Sequence, residues 1–357
     1  MLQLCERFWA VRICVRGAGI VFWTRHLWVC LLISAATVAW ACESESAAPV
    51  VRDSVSVQDT ASVSDAVLVP DTGATPDTAS APDTVFTPDT VFTPDAAADK
   101  RCNGHENLCG RRFDEAFYAM THNAMSNAED GWGLPNQGRS LLHQLDDGVR
   151  GFMLDLHYWE GQVQLCHGTC YAVGNVPLVD ALRDMNDWLS QHPGEVITLD
   201  FENYVEPEDT ANAFERSGML ARCHVHDAGE LWPTLGEMIE RDERVVVFSD
   251  QKGGGLPWYH DTWDHCWDTD WSVHATEEFD CRRNRGDADN GLVILNHFIS
   301  EMPPSRDTAA MVNAHDFLRS RVEGCWAKMG QVPNFIVVDF ADEGDVVEVV
   351  NALNAAR

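Results

Sequence analysis

The stretch Val196 to Asn203, VITLDFEN, decides the fold. Its first residues are nearly continuously apolar, as expected of a parallel strand buried on both faces. Asp200, Glu202 and Asn203 then close it with polar side chains. The same order recurs on either side. Phe117 to Met120 is followed by Thr121-His122-Asn123, Gly151 to Leu156 (GFMLDL) brings Asp155 and His157, and Val163 to Leu165 is followed by His167. Val245 to Ser249 leads into Asp250 and Lys252, Leu292 to Leu295 into Asn296-His297, and Phe335 to Phe340 (FIVVDF) carries Asp339. Helical patterns lie between the runs, at Val179 to Gln191 before Pro193-Gly194, and at Thr308 to Arg321. Strands alternating with helices, each strand ending in polar chemistry, predict an α/β fold of the (β/α)₈ barrel type, with the site at the C-terminal ends of the strands. A doubly wound sheet would gather that chemistry at one switch point instead. These runs supply seven strands, so one barrel strand is not visible in the sequence.

The flanking sequence is of a different kind. The chain has 357 residues and a formal net charge of −31. That acidity argues against nucleic acid as a partner, because phosphate backbones select clustered Lys and Arg. It suits a divalent cation. Residues 1–42 read as an export signal, with Arg7, Arg12, Arg16 and Arg25 ahead of the apolar run Leu27 to Ala41. Ala39-Trp40-Ala41 fits a cleavage site, and Cys42 directly after it fits a bacterial lipoprotein signal with Cys42 as the lipid-bearing residue. A lipid-anchored or secreted envelope protein is therefore expected. Residues 43–100 are rich in Pro, Asp, Thr, Ala and Ser, with Pro-Asp at Pro70, Pro76, Pro82, Pro88 and Pro94. Such a segment buries too little apolar surface to offset the entropy of ordering, so it reads as a disordered tether before a globular domain over 101–357. That domain holds Cys102, Cys109, Cys166, Cys170, Cys223, Cys266, Cys281 and Cys325. An even count in an exported chain predicts disulfides, Cys102–Cys109 and Cys166–Cys170 among the candidate local pairs. Nothing in the sequence indicates an oligomer, so a monomer is expected.

Four blocks carry a resemblance: MTHNAMS, QLDDGVRGFMLDLHYWEG, LCHGTCY and PGEVITLDFENYV. In this order and spacing the chain resembles the phosphatidylinositol-specific phospholipase C X-domain family, and FDCRRNRG, LVILNHF and PNFIVVDF resemble an exported subgroup of it. The resemblance implies a distorted barrel that cleaves a phosphoinositide to diacylglycerol and a cyclic inositol phosphate. It implies His122 and His167 as the catalytic histidines, His167 as the acid. It also implies a calcium site at Asn123, Asp155 and Glu202, all oxygen donors of the kind calcium prefers. Met153 stands where the calcium-dependent branch has Glu, so the base role falls to His122, oriented by Asp339. Arg150 is a candidate phosphate contact in the catalytic set. Lys252, Asn296 and His297 are candidate substrate-binding residues. The aromatic group Trp258, Tyr259, Trp263, Trp267 and Trp271 reads as loop packing, with lipid contact as the alternative. Two further readings compete: a glycerophosphodiesterase or sphingomyelinase D-like hydrolase, and a barrel that binds lipid or inositol phosphate without turnover.

Overall fold

The strands come in chain order as β1 (Tyr118–Thr121), β2 (Gly151–Trp159), β3 (Gln162–Leu165), β4 (Val176–Pro177), β5 (Ile197–Asn203), β6 (Val245–Ser249), β7 (Tyr259–Asp261), β8 (Cys266–Asp268), β9 (Leu292–Asn296) and β10 (Phe335–Val338). The helices are α1 (Leu141–Asp147), α2 (Cys170–Val173), α3 (Leu178–Gln191), α4 (Pro207–Ser217), α5 (Leu235–Glu240), α6 (Thr262–His265), α7 (Arg306–Val312), α8 (His315–Met329) and α9 (Val346–Ala355). They belong to a computed structural model that describes residues 101–356, together with a short antiparallel pair of Cys14–Val15 with Ile20–Val21. The export signal expected over 1–42, the lipid attachment expected at Cys42 and the tether expected over 43–100 otherwise lie outside the described residues.

Eight strands run parallel in the order β8-β9-β10-β1-β2-β5-β6-β7. The last strand, β10, pairs with the first, β1. The sheet therefore curls round on itself, and the fold is a distorted (β/α)₈ barrel, open between β7 and β8. Alternation along the strands sorts the side chains into two sets. Tyr118, Met120, Val246, Phe248, Ile294, Phe335 and Val337 cluster in the interior, with Met153 packed against them. Phe152, Leu154, Leu156, Ile197, Leu199 and Phe201 face outward under Leu178, Leu182, Met185 and Leu189 of α3. The i, i+4, i+7, i+11 spacing of those four α3 residues builds one apolar helix face, and full burial of each contributes about 1.5–3 kcal/mol. The helix expected over Val179 to Gln191 is α3, one residue longer at its start.

Three expectations are corrected. Val163 to Leu165 is not a barrel strand. It is β3, which folds back antiparallel on β2 through the two-residue turn Glu160-Gly161, both at positive φ (49° and 76°). Positive φ at both turn residues matches the twist of a hairpin, and β2 is long enough to reach past the barrel rim and support it. The two barrel strands hidden in the sequence are β7 and β8, three residues each, drawn from a His-, Asp- and Trp-rich stretch with no apolar run. The helix expected over Thr308 to Arg321 is two, α7 and α8. Between them the fully buried Asn313 turns its side chain to the carbonyls of Asp339 and Phe340, at 2.9 and 3.3 Å.

The opening beside β8 is covered from within the chain. The segment Arg283–Gly286 runs antiparallel along its free edge, with Asn284 N–H donating to the Asp268 carbonyl (2.7 Å) and Asp268 N–H to the Arg285 carbonyl (3.1 Å). A Cβ at Gly286 would meet the Cys266 carbonyl oxygen at 2.2 Å, so only glycine allows the approach. Arg285 then bonds the buried Asp268 carboxylate through Nε (3.0 Å) and Nη2 (2.6 Å) and lies over the Trp263 ring at 4.3 Å. A free strand edge is a pairing hazard, and this strap satisfies it. Cys281–Cys325 ties the strap to α8, and Cys102–Cys109 and Cys166–Cys170 also form. Among the described residues the other two cysteines of the domain, Cys223 and Cys266, are separate buried thiols.

Candidate active site

Interior-facing polar residues stand at the C-terminal ends of the strands, where the apolar interior gives way to solvent. His122 follows β1, Asp155 and His157 lie on β2, Asp200 and Glu202 on β5, and Asp250 and Asp339 follow β6 and β10. Asp155 and Glu202 are in-register neighbours on adjacent parallel strands. Asp250 extends this row, because its N–H bonds the Phe201 carbonyl (3.0 Å).

His122 and His167 are brought together although different devices hold them. His122 is aligned from three sides. Its Nδ1–H donates to Asp339 Oδ1 at 2.9 Å, its Nε2 accepts from Asn123 Nδ2 at 3.1 Å, and its ring stacks on Phe298 with centroids 4.0 Å apart. The tautomer follows from the carboxylate, which only accepts. The same Asn123 amide lies 3.4 Å from His167 Nε2, so both Nε2 atoms converge on one nitrogen. His167 does not close a barrel strand. The β2–β3 hairpin carries it back over the mouth, with Cys166 N–H bonded to the Asp155 carbonyl (3.2 Å) and the Cys166–Cys170 disulfide bracketing it. That disulfide takes up the sulfurs that could otherwise suggest half a zinc site. Burial, then the neighbouring His122, lowers the His167 pKa below the ordinary histidine value.

Asp155 is a buried carboxylate at the mouth. It is 4 % exposed, and its carboxylate has no hydrogen-bond partner among the described residues. Burial first, and then Glu202 and Asp250, push its pKa well above the usual carboxylate range. Asp250 is shifted upward as well, by burial first, and Asp200 is pushed to about 7 by burial and by Asp250. Glu202 accepts the hydroxyl of Tyr204, whose ring stacks on His157 at 4.5 Å. A buried, unpartnered carboxylate beside two more is what a divalent cation relieves, and Asn123, Asp155 and Glu202 are a hard-oxygen donor set. Among the described residues no three His, Cys, Asp or Glu side chains are gathered closely enough to hold a metal by themselves. The residues present fit such an ion as a site with one amide, two carboxylates and water ligands.

Other expected site residues stand elsewhere. Arg150 is at the opposite end of β2, where Nε bonds Glu195 (2.7 Å), Nη1 bonds the carbonyls of Leu145 and Val149 (2.7 Å each), and the guanidinium covers Trp188 at 5.1 Å. It is a structural clamp, and its place in the catalytic set is corrected. His297 points to the outside of the sheet, fully buried, with Nε2–H donating to the Val312 carbonyl (2.9 Å) and Phe279 stacked on its ring. Asn296 does face inward, but its amide is committed to the Thr269 carbonyl at 2.7 Å. Lys252 bonds Glu206 (2.7 Å) and the Val205 carbonyl (3.2 Å), which occupies its charge at the rim. Trp258, Tyr259 and Trp267 are core residues; among the five aromatics Trp271 alone is exposed.

Sequence reasoning missed Asn136 and Gln137. Both are buried in the loop between β1 and α1; Asn136 bonds Asp339, the carboxylate on His122, and Gln137 bonds the His122 main-chain carbonyl. No periodicity marks them.

The family description PI-PLC X 1 matches residues 108–354. The chain belongs to the PI-PLC X family. Among its relatives are a PI-PLC X domain-containing protein of Arabidopsis thaliana, 28 % identical over 69 % of this chain and 63 % of the relative, and PI-PLC X domain-containing protein 1 of Arthroderma benhamiae, 28 % identical over 72 % of this chain and 90 % of the relative. A protein of A. benhamiae described as secreted is 25 % identical over 69 % of this chain and 61 % of its own length. The chain thus spans under two thirds of the length of two of these relatives. A solved phosphatidylinositol-specific phospholipase C of S. aureus superposes with a TM-score of 0.50 at 15 % identity, over 68 % of this chain and 94 % of that one, which bears on the fold alone. The family match and the superposition agree on the barrel fold. The three disulfides and the secreted relative agree with an oxidising, extracellular setting.

Proposed function

We propose that this PI-PLC X protein is a phosphodiesterase that cleaves a phosphoinositide to diacylglycerol and inositol cyclic phosphate. The observation that carries the reading is the chain Asp339–His122–Asn123–His167 at the barrel mouth. A base held by a carboxylate, with a second imidazole converging on the same point, supplies the base and the acid that cleavage by an internal hydroxyl uses. His122 Nε2 takes the proton of the inositol 2-hydroxyl, and that oxygen attacks phosphorus. The bond from phosphorus to the glycerol oxygen breaks, and protonated His167 gives its Nε2 proton to the departing alkoxide. The incoming phosphate favours the imidazolium form of His167 against the burial that disfavours it. Asn123, Asp155 and Glu202 would hold a divalent cation, calcium by the donor chemistry. When bound, such an ion supplies the positive charge that developing phosphoryl negative charge needs. A bacterial envelope protein, tethered through lipid on Cys42 or secreted, would meet such a substrate at a membrane surface.

Phosphorus NMR of the disulfide-intact protein with phosphatidylinositol vesicles tests the proposal. A cyclic inositol phosphate resonance that disappears with chelator and with His167→Ala is expected. Turnover that survives chelator removes the ion from the reading and keeps the histidines. Intact phosphatidylinositol, with glycerophosphodiesters or sphingomyelin cleaved instead, overturns the substrate.

A further inference from the structure

Asn136 closes a ring of side chains around His122. Its Nδ2 donates to Asp339 Oδ1 at 3.1 Å, the same oxygen that accepts from His122, and its Oδ1 accepts from Asn123 Nδ2 at 3.4 Å. Asn123 in turn donates to His122 Nε2. The two partners of the imidazole, one on each ring nitrogen, are thus tied to each other by a third side chain. The adjacent Gln137 does the same for the main chain. Its Nε2 donates to the His122 carbonyl (2.7 Å) and the Val338 carbonyl (3.0 Å), and its Oε1 accepts from Ala341 N–H (3.1 Å). It therefore staples the end of β1 to the end of β10, on either side of the His122–Asp339 contact.

Both residues are nearly fully buried, 2 % and 1 % exposed. They sit at the neck of a compact loop whose ends meet at the parallel bridge Asn127↔Gln137. Asn127 turns the chain there, with its amide on the Met125 carbonyl (3.0 Å) and Asp130 (2.8 Å). A loop with closed ends holds its own shape and can present residues rigidly. Burying two carboxamides costs free energy unless their donors and acceptors are met, and here they are met by the groups around the base.

We propose that Asn136 and Gln137 are positioning residues that fix the tautomer and orientation of His122. The role rests on the reading of His122 as the base, but one of its tests does not. Nitrogen NMR of the neutral His122 ring reports the tautomer without any turnover. The native protein should show Nδ1–H alone, and Asn136→Asp should show a mixture. That substitution keeps the volume while removing the donor to Asp339, so a packing role would leave the spectrum unchanged. In turnover, Asn136→Asp and Gln137→Glu should each lower kcat roughly 10–100-fold with KM nearly constant, as residues behind a catalytic group do. Circular dichroism and melting separate misfolding from mispositioning, and Asn136→Ser, which can still donate, should recover part of the rate. A single tautomer in Asn136→Asp with native kcat overturns the inference. Native protein that turns nothing over, yet shows the tautomer change, leaves the positioning intact and removes the catalytic reading instead.

Discussion

The protein holds two groups of histidines, one at the barrel mouth and one in the core, and they differ in access. At the barrel mouth, His122 has a carboxylate, an amide and a stacked Phe298, and its side chain is 26 % exposed. Around Trp232 and Phe248, four more are buried together: His224, His226, His260 and His265. Their rings lie 5.0–5.9 Å apart where they are neighbours, and the Nε2 atoms of His224 and His226 have no partner. Burial first lowers all four, His226 to about 4 and His260 to about 3. The second group is larger, and His224 even has a carboxylate, Glu243, 3.1 Å from its Nδ1, but all four rings are buried at 8 % exposure or less. A working histidine is recognised by its partners and its access, while proximity of imidazoles alone marks a core.

The largest effect expected is on the chemistry. His122→Ala and His167→Ala should each cost about 10²–10⁴-fold in kcat, and His226→Phe should leave kcat within a few-fold. A comparable loss in His226→Phe would erase the distinction between the groups. Arg150→Met should destabilise the fold by about 2–4 kcal/mol, by leaving Glu195 unpaired in a half-buried site, with KM unchanged. Urea unfolding and initial rates separate that outcome from a role in phosphate binding. A smaller and more specific signal lies in pH. Because His167 is lowered and must be protonated to act as acid, the alkaline limb of kcat/KM should fall below the ordinary histidine value of about 6.5. A limb above that value contradicts the assignment.

The mildest test concerns stability. A buried histidine with a lowered pKa contributes stability that is present above about pH 6.5 and lost as pH falls toward the folded values. The melting temperature should therefore drop between pH 6.5 and 4, and His226→Phe should flatten that drop. Asp200, raised to about 7, acts with the opposite sign: its contribution is present below about 3.8 and lost as pH rises through 7. Comparing the variant with the native protein at each pH isolates the histidine.

Much of this was legible before any coordinates. Continuous apolar runs ending in polar residues gave six of the eight barrel strands, to within a few residues at their ends, because a strand buried on both faces has a strong signal. Cys102–Cys109 and Cys166–Cys170 were legible because their spacing is short. β7 and β8 were not, since three residues are too few to show a period. Arg150 looked like a phosphate contact because an arginine beside a strand reads the same until its partner, Glu195, is known. His167 was found by motif and misplaced by one element, because antiparallel β3 has the same apolar run as a barrel strand. Asn136 and Gln137 carried no signal, since a buried carboxamide in a loop is defined by long-range partners alone.

The division of labour between the mouth histidines is the central claim, and leaving-group dependence tests it most directly. Rates of the native protein, His122→Ala and His167→Ala would be compared on a lipid phosphodiester and on an inositol phosphodiester with a nitrophenolate leaving group, which departs without a proton. His167→Ala should lose about 10²–10⁴-fold on the lipid and little on the nitrophenyl ester, while His122→Ala loses on both. Equal losses for His167→Ala on both substrates would contradict the account.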